Sequence, residues 1–395
     1  MPGAGEHLLS ERSAGVSLSR IRKLLEHAAT IKDPINLTIG QPDFPVDDKL
    51  KSAAVRAINS NLNGYAISRG YNPLVRACER HIARDLGWPF GGDADPSLIV
   101  TSGTSGALLL AILSLLNPGD EIVLPDPYFI AYPAMARLGG ATAVYCDVHP
   151  DFRMTAERVE PLITDKTKAV LFNSPSNPGG VVLDSGACGE LAELCRERGV
   201  ILISDEIYDE FTFDEGRTER AADPSLGLRC PSPARRDGAH EHTLVVRGFG
   251  KTYGVTGWRL GYATGPAWLI DSMLKMQQYT FVCPPTPLQA AAVEAFEVDV
   301  TRHVSTYERR ARMVVDGVGD LTSVAKPHGA FYAYVEIPAR LGSAEAFVDR
   351  CVENKLLVIP GTAFSRRDTH IRVSLAAPDE TIARGVEVLR RLLSA

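Results

Sequence analysis

Short apolar runs recur along the middle of the chain with the spacing that parallel β-sheets show. Between about residues 97 and 265, runs rich in Val, Ile and Leu alternate with segments whose apolar residues repeat at the period of an α-helix. Runs that are apolar throughout fit strands buried on both faces, which indicates a mainly parallel sheet covered by helices in an α/β fold. The predicted strands lie at residues 98–100, 121–124, 142–145, 168–172, 200–203 and 243–246.

The pattern changes near residue 300. A long polar helix is followed there by the apolar run 330–335, and then by helix, strand and helix to the end of the chain. This order is typical of a smaller α+β unit, which the segment before Phe44 would complete. The sequence therefore predicts a large domain at residues 45–299 and a small domain formed by residues 1–44 and 300–395.

Residues 216–240 interrupt the alternation of strands and helices. They contain Pro, Ser, Arg and Gly without a clear period, which is typical of a long surface loop. Such a loop most often has no part in the chemistry of a protein. We therefore expect a surface excursion in this part of the chain.

Composition narrows the class of protein. The 395 residues are 45% hydrophobic, enough for a large core, and the formal net charge of -6 comes from interspersed acids and bases. Neither nucleic acid nor an anionic membrane surface is favoured as a partner.

The seven cysteines are scattered without the spacing of a metal site or a disulfide framework. No stretch approaches the ~18 apolar residues of a membrane span. With no signal peptide in view, we expect a cytoplasmic protein without a metal site.

Lys251 is the main candidate for covalent chemistry. It lies in the glycine-rich, weakly charged run 248–262, directly after the predicted strand 243–246. A poorly solvated lysine has a lowered pKa and can attack a carbonyl carbon. The run is not a phosphate-binding P-loop, because Val245 stands where that motif needs a glycine. A single loop lysine is usually a solvated charge, so its interpretation depends on the rest of the chain.

Other polar residues follow the predicted strands, at the edge where parallel sheets bind ligands. The turn 101–106 opens a helix, and its N–H groups can hold an anion. Asn177 precedes a proline, which favours a fixed, extended conformation. Asp205 and Tyr208 follow the strand 200–203. Each feature also has a purely structural interpretation as a tight turn, a rigid loop or a helix cap.

Two arginines complete a recognisable set of chemical groups. Arg259 offers a planar fork suited to phosphate, and Arg372 is a cation within an apolar run, where a charge normally has a partner. Pyridoxal 5'-phosphate needs an amine for its aldehyde, an anion opposite its ring nitrogen, donors to its phenolic oxygen and a cup for its phosphate. These needs are met in turn by Lys251, by Asp205, by Asn177 with Tyr208, and by the turn 102–105 with Arg259.

The chain resembles the class I/II aminotransferase family of fold-type I pyridoxal-phosphate enzymes over nearly its whole length. The resemblance implies a large domain with a mainly parallel seven-stranded sheet covered by helices, and a smaller α+β domain. It also implies pyridoxal phosphate as cofactor and a homodimer with active sites at the subunit interface. The matching runs are residues 39–44, 65–74, 174–180, 204–208, 251–262, 327–332, 360–361 and Arg372.

The resemblance further implies individual roles. Lys251 would be the Schiff-base lysine and proton shuttle, Asp205 would keep the ring nitrogen protonated, and Tyr208 would bind the phenolic oxygen. Tyr65 would reach the cofactor phosphate of the neighbouring subunit. The other implied cofactor-binding residues are Gly103, Thr104, Ser105, Phe129, which would stack on the ring, Asn177 and Arg259. The implied substrate-carboxylate residues are Gly40, Asn177 and Arg372.

Some positions depart from the family pattern. Gly248 stands where serine is common in the family, and Gly250 stands where serine or alanine is common. We therefore expect one hydrogen bond to the phosphate to be missing, or to be supplied by Arg247 or water. Ser105 stands where some dicarboxylate-specific relatives have a lysine. Neither departure changes the expected reaction type.

Three functions are compatible with the sequence. The leading one is transfer of an amino group between an α-amino acid and a 2-oxo acid by a ping-pong mechanism. A β-C–S lyase or a related elimination enzyme would use the same scaffold and cofactor. A cofactor-binding regulator is disfavoured, because only about 40 residues, without a basic patch, precede Gln41.

Overall fold

The computed structural model describes residues 6–16, 31–92 and 95–395, and a seven-stranded sheet forms its centre. Neighbouring strands pair in parallel except for Gly261–Gly265, which is antiparallel to both of its neighbours. The predicted α/β fold is therefore confirmed, including its seven-stranded sheet. From one edge to the other the strands are Ser97–Thr101, Gly261–Gly265, Thr243–Gly248, Ile201–Asp205, Thr167–Asn173, Glu121–Asp126 and Thr142–Asp147.

The apolar runs predicted every strand of this sheet except Gly261–Gly265. Its sequence, Gly-Tyr-Ala-Thr-Gly, has no run of branched residues, and glycine weakens strand propensity. Tertiary packing explains the glycine at its start. A Cβ on Gly261 would lie 2.8 Å from the backbone of Gly103 and Thr104. The strand thus packs directly against the turn that opens the helix Gly103–Leu115 in the predicted site.

Both faces of the sheet are buried. Leu171 and Ile203 belong to the apolar layer on one face, whereas their neighbours Val170 and Leu202 belong to the layer on the other. Parallel strands covered on both faces therefore read as continuous apolar runs.

Among the described residues, no helix has both the length and the apolar content needed to cross a membrane. The accompanying helices are Asp48–Asn59, Asn72–Leu86, Gly103–Leu115, Ala131–Leu138, Ala156–Val159, Ser185–Glu197, Phe249–Thr252, Ala267–Thr280 and Thr286–Ala292.

A second, four-stranded sheet is built mainly from the C-terminal part of the chain. Its antiparallel strands are, in order, Val324–Ala325, Tyr332–Glu336, His370–Ser374 and Ile359–Pro360. Three helices accompany it: Thr301–Val318, Ala344–Glu353 and Asp379–Leu393.

The N-terminal part of the chain contacts the C-terminal part through a strand pair. Ile35–Asn36 pairs in parallel with Leu356–Leu357. A short helix, Glu11–Ala14, precedes it in the chain. Of the residues assigned to the small domain, 1–5 and 17–30 lie outside the described part of the chain.

The stretch 216–240 is only in part the surface loop that its composition predicted, because residues 229–234 are buried. Arg229, Ser232 and Ala234 are buried, and short 3-10 turns and a two-stranded ladder order the backbone. Ion pairs explain the burial, because Arg229 and Arg235 both contact the buried carboxylate of Asp85. Composition alone gave no sign of these contacts. The short elements are Asp214–Gly216, Glu219–Arg220, Pro224–Leu226, Leu228–Arg229, Pro233–Arg235 and Ala239–Glu241.

Candidate active site

A cavity of about 520 Å³ lies at the carboxyl ends of the central parallel strands. Asn173 and Asp205, the last residues of their strands, line it, and Tyr332 and Arg372 reach it from the four-stranded sheet. Ligands bind at this edge in open parallel sheets. All the predicted site residues except Tyr65 line this cavity, namely Gly40, Gly103, Thr104, Ser105, Phe129, Asn177, Asp205, Tyr208, Lys251, Arg259 and Arg372.

Lys251 projects into the cavity from a single helical turn, Phe249–Thr252, that directly follows a central strand. Its Nζ donates a hydrogen bond to the Gly40 carbonyl oxygen and lies 5.6 Å from the centre of the Phe331 ring. Burial lowers the pKa of this amine, and the positive charges of Arg372 and Arg259 lower it further. A larger fraction of the amine is therefore neutral and able to attack a carbonyl carbon.

Asp205 lies at the bottom of the cavity, almost fully buried. Its Oδ2 accepts a 2.7 Å hydrogen bond from the Tyr132 hydroxyl, and its Oδ1 accepts one from the Ile207 amide. Burial raises the pKa of this carboxyl to about 6, although both hydrogen bonds oppose the rise. The next helical turn starts at Asp209 with Tyr208 as its cap residue, so Asp205 is not a helix cap.

A chain of amide contacts connects Asp205 with Arg372. The Asn173 side chain donates to the Asp205 carbonyl oxygen at 2.8 Å and accepts from the Asn177 amide at 2.9 Å. The Asn177 Oδ1 in turn accepts a 3.1 Å hydrogen bond from Arg372 Nη1. Asn177 is therefore held through its backbone N–H by Asn173 and through its side-chain oxygen by Arg372. The buried Tyr208 hydroxyl lies 3.5 Å from that of Tyr332.

Arg372 is a buried cation held between two aromatic rings. Its guanidinium carbon lies 4.2 Å from the centre of the Tyr332 ring and 4.4 Å from that of Phe364. Burial lowers the pKa of the guanidinium. Its Nε is buried without a hydrogen-bond partner. Because buried charges are normally paired, this donor fits an anion that enters from outside the chain.

The turn at the start of helix Gly103–Leu115 forms an anion site together with Arg259. Gly103 has a φ of 69°, and a Cβ at this position would lie 2.7 Å from Arg259 Nη2. The guanidinium therefore lies directly against the backbone of the turn. Arg259 Nη1 also donates to the Thr256 carbonyl oxygen at 3.2 Å. Helix N–H groups and a guanidinium facing one space are suited to a phosphate group.

The structure gives a physical reason for Gly248. A Cβ there would lie 2.8 Å from the Ile207 Cδ1 atom and 3.0 Å from Thr104 Cγ2. The space for a side chain is therefore occupied by these two residues. The expected replacement contact from Arg247 is wrong, because Arg247 is buried against Glu206 and does not line the cavity. Nothing in the structure explains Gly250, where a Cβ would make only ordinary contacts.

Sequence reasoning missed several residues of the cavity wall. Asn173 directly follows the predicted strand 168–172 and precedes the matched run 174–180, so the strand-end argument that identified Asp205 could have found it. Tyr132 and Phe364 contact site residues only through tertiary packing, and no local pattern marks them. Tyr332 lies in the matched run 327–332 but was given no role there.

The described residues fit pyridoxal phosphate. A lysine with a lowered pKa and a buried carboxyl line the same cavity, and a helix N-terminus with an adjacent guanidinium opens into it. The buried Arg372 Nε, without a partner, provides a further donor for the carboxylate of a substrate. This combination of an amine, an acid and two anion sites is the set that the cofactor and an amino acid require.

Comparisons with known proteins agree with this chemistry. The family model for aminotransferase class I and II matches residues 32–389. The chain is 35% identical to a putative aminotransferase of Bacillus subtilis and 33% identical to an aspartate aminotransferase of Pyrococcus abyssi, in each case over 98% of both chains. Among solved structures, an aspartate aminotransferase of Thermotoga maritima is 30% identical with a TM-score of 0.88, over 98% of this chain and 100% of its own. The chain therefore belongs to the class I and II aminotransferase family and is a pyridoxal-phosphate-dependent aminotransferase.

Proposed function

We propose that the protein transfers an amino group between an α-amino acid and a 2-oxo acid in this cavity, in two half-reactions of a ping-pong cycle. In the first, the amino acid leaves its amino group on the cofactor and departs as a 2-oxo acid. In the second, another 2-oxo acid takes the group up. One observation carries this proposal: the amine of Lys251, with its lowered pKa, shares a cavity with the buried Asp205 carboxyl and with Arg372, whose Nε is unpaired.

Asp205 is proposed to control the electronic state of the cofactor. When bound, pyridoxal phosphate supplies an aldehyde that condenses with amines and a ring that withdraws electrons from the adjacent bonds. The Asp205 carboxylate would hold a proton on the ring nitrogen, and the Tyr132 hydroxyl fixes the direction of that carboxylate. Burial raises the pKa of the Asp205 carboxyl to about 6. The positive charge of a protonated ring nitrogen beside it would counteract this effect.

Lys251 is proposed to move the proton of the reaction. Nζ of Lys251 would take the proton from the substrate α-carbon and later give it back, so one amine would act as base and then as acid. The lowered pKa of Lys251 favours this cycle, because a strongly basic amine would remain protonated.

The other cavity residues are proposed to bind the cofactor and the substrate. The turn 103–105 and Arg259 would hold the phosphate, and Asn177 and Tyr208 would contact the phenolic oxygen. Phe129, in the cavity wall, would stack on the ring. Arg372 would bind the α-carboxylate, assisted by Gly40 and Asn177.

The reaction type can be tested with the enzyme, its cofactor and one amino acid. A transaminase without an acceptor converts one equivalent of cofactor to its amine form and stops, which absorbance spectra and 2-oxo acid measurements record. A β-C–S lyase would instead release 2-oxo acid and ammonia continuously. We expect stoichiometric conversion, followed by recovery of the original spectrum when a 2-oxo acid is added. Continuous ammonia release from a single substrate would contradict the proposal.

We propose further that the protein is a homodimer with active sites at the subunit interface. Large apolar side chains are exposed on two adjoining segments, which are held together where Gln277 donates to the Ser68 carbonyl oxygen and Thr286 to that of Gly64. Exposed apolar patches of this kind often mark interfaces between proteins. The exposed residues are Tyr65, Ile67, Tyr279, Phe281 and Val282.

Tyr65 gives a direct test of shared sites. It is 87% exposed and does not line the cavity of its own chain. We propose that its hydroxyl binds the cofactor phosphate of the neighbouring subunit, so Tyr65→Ala should weaken cofactor affinity roughly 10-fold, the effect of one hydrogen bond to a charged group. Titration of the apoenzyme with cofactor measures this affinity.

Hybrid dimers separate contact across the interface from contact within one chain. A hybrid of one Lys251→Ala subunit and one Tyr65→Ala subunit contains one fully native site if Tyr65 acts on its neighbour. At a cofactor concentration that does not saturate Tyr65→Ala, mixing the two variants should therefore raise activity above either parent alone. If Tyr65 acts within its own chain, no hybrid site is native and no such rise occurs. A monomer in sedimentation experiments would also contradict the proposal.

A further inference from the structure

A cluster of buried ion pairs lies next to the cavity but does not line it. We call it the Arg247 cluster. It joins the helix Asn72–Leu86, two central strands and the stretch 216–240. The role proposed above for the cavity residues does not use it. Its members are Asp85, Glu206, Asp209, Arg229, Arg235 and Arg247, with side-chain exposures of 11% or less.

The pair Arg247–Glu206 connects the two strands that lead to Lys251 and Asp205. These strands are parallel neighbours, with Asp205 aligned beside Val246. Arg247 Nε and Nη2 both donate to Glu206 Oε2, at 2.9 and 2.8 Å. Successive side chains of a strand point to opposite faces. Asp205 therefore faces the cavity, whereas Glu206 faces the Arg247 cluster.

Arg247 also holds the other end of the segment that follows Asp205. Its Nε lies 3.1 Å from Asp209 Oδ2. One guanidinium therefore contacts the carboxylates on both sides of Ile207–Tyr208. Burial raises the pKa of Asp209 to about 7, and Arg247 is the main cation that opposes this rise. A movement of Arg247 would free both ends of the segment that carries Tyr208.

Other residues of the cluster and two serines hold Arg247 and Glu206 in place. Arg247 Nη1 lies 2.7 Å from Asp85 Oδ2, and Arg235 donates to Asp85 Oδ1 at 2.6 Å. Burial opposes ionisation of Asp85, but the cations Arg247, Arg235 and Arg229 hold its pKa well below the usual range. Glu206 Oε1 accepts from the hydroxyls of Ser204 and Ser232, at 2.8 and 2.6 Å.

These acids are not a metal site. His81, Asp209 and Glu210 have potential ligand atoms within 4.8 Å of one another. However, Glu210 is paired with Arg229 and Asp209 with Arg247. A divalent cation would have to displace two arginines, so the charge of this region is already balanced by the chain itself.

The geometry points to a role in the reaction. Buried ion pairs add little stability compared with apolar residues of equal volume, whereas they fix the relative position of the groups they connect. We propose that Arg247 is a positioning residue: by binding Glu206 and Asp209, it fixes the Asp205–Tyr208 segment against the strand that leads to Lys251. This inference rests on the proposed roles of Asp205 and Lys251.

A charge-conserving substitution tests the proposal. Arg247→Lys keeps the cation but cannot donate two hydrogen bonds to Glu206 in the same geometry. Arg235→Lys is the matched control, because Arg235 is equally buried in the cluster but contacts none of residues 205–209. For each holoenzyme we would measure the melting temperature, the pH titration of the visible cofactor band, and kcat and KM for an amino donor.

We expect Arg247→Lys to lower kcat roughly 10-fold with KM changed less than about 3-fold, because misplacement of reacting groups affects the chemical step. Its titration midpoint should move away from the wild-type value. Arg235→Lys should lower the melting temperature by a similar amount but keep the wild-type midpoint and kcat. If both variants lose only stability, Arg247 has a structural role alone and the proposal is overturned.

A second variant keeps the proposal testable if Arg247→Lys does not fold. Glu206→Gln preserves the size of the side chain, removes the charge that binds Arg247 and should produce the same fall in kcat and shift in midpoint. A wild-type midpoint and kcat in Glu206→Gln would overturn the inference. Failure of the proposed function has a different signature, since the wild-type protein itself would then release ammonia continuously from a single amino acid.

Discussion

Lys251→Ala is expected to abolish the visible absorption band of the cofactor and to lower turnover by at least roughly 10⁴-fold, the upper range for loss of an acid–base group. The variant should still fold, because Nζ makes one hydrogen bond, to the Gly40 carbonyl oxygen, and fills no apolar core. Absorbance after cofactor addition and steady-state assays would measure the two effects.

Two further variants make the Lys251 result specific. Lys251→Arg retains a positive charge but remains protonated at neutral pH, so it should be as inactive as Lys251→Ala. Lys275→Ala removes an exposed lysine from the helix Ala267–Thr280 and should keep the wild-type spectrum and rate. Retention of the band and of turnover in Lys251→Ala would refute the assignment of this residue.

The sequence predicted much of the fold, for identifiable physical reasons. Strands buried on both faces must be apolar throughout, so the runs near Leu171 and Ile203 were visible without a structure. The ends of those strands then indicated where Asp205 and Asn177 would lie. The strand Gly261–Gly265 was not visible, because close packing against Gly103 favours glycine over the usual strand residues.

The contacts that orient the site could not be predicted in this way. Tyr132 is 73 positions from Asp205 in the chain, and Arg235 is 150 positions from Asp85. Hydrogen bonds and ion pairs across such separations leave no periodic pattern. A buried arginine is also unmarked, since Arg247 in the sequence resembles any charged residue at a strand end. Resemblance to a family suggested roles for the cavity residues, but it did not indicate what holds them in place.

Gly248 illustrates how a departure from a family pattern acquires a physical meaning. From the sequence, the missing side chain suggested a lost contact to the phosphate. In the structure, Ile207 and Thr104 fill the space that a Cβ would occupy. Thr104 belongs to the turn that is proposed to hold the phosphate. A serine at position 248 would therefore require the end of the Ile207 side chain to shift and would press on Thr104 in that turn.

Arg372→Lys is expected to lower kcat/KM roughly 100-fold for α-amino acids while the visible cofactor band is retained. A lysine cannot replace both terminal nitrogens, which contact Asn177 Oδ1 at 3.1 Å and the Thr38 carbonyl oxygen at 3.3 Å. It also lacks the planar group that lies between the rings of Tyr332 and Phe364. The loss of paired, charge-assisted hydrogen bonds to a carboxylate corresponds to about 3 kcal/mol.

An amine without a carboxylate separates substrate binding from general damage. The wild-type enzyme should prefer an amino acid strongly over the corresponding amine, and Arg372→Lys should narrow this preference by the same roughly 100-fold factor. Arg366→Lys, which alters an exposed arginine outside the cavity, should leave the preference unchanged. If Arg372→Lys slows both substrates equally, Arg372 does not bind the carboxylate. The unpaired Nε at this buried position would then require a different anion.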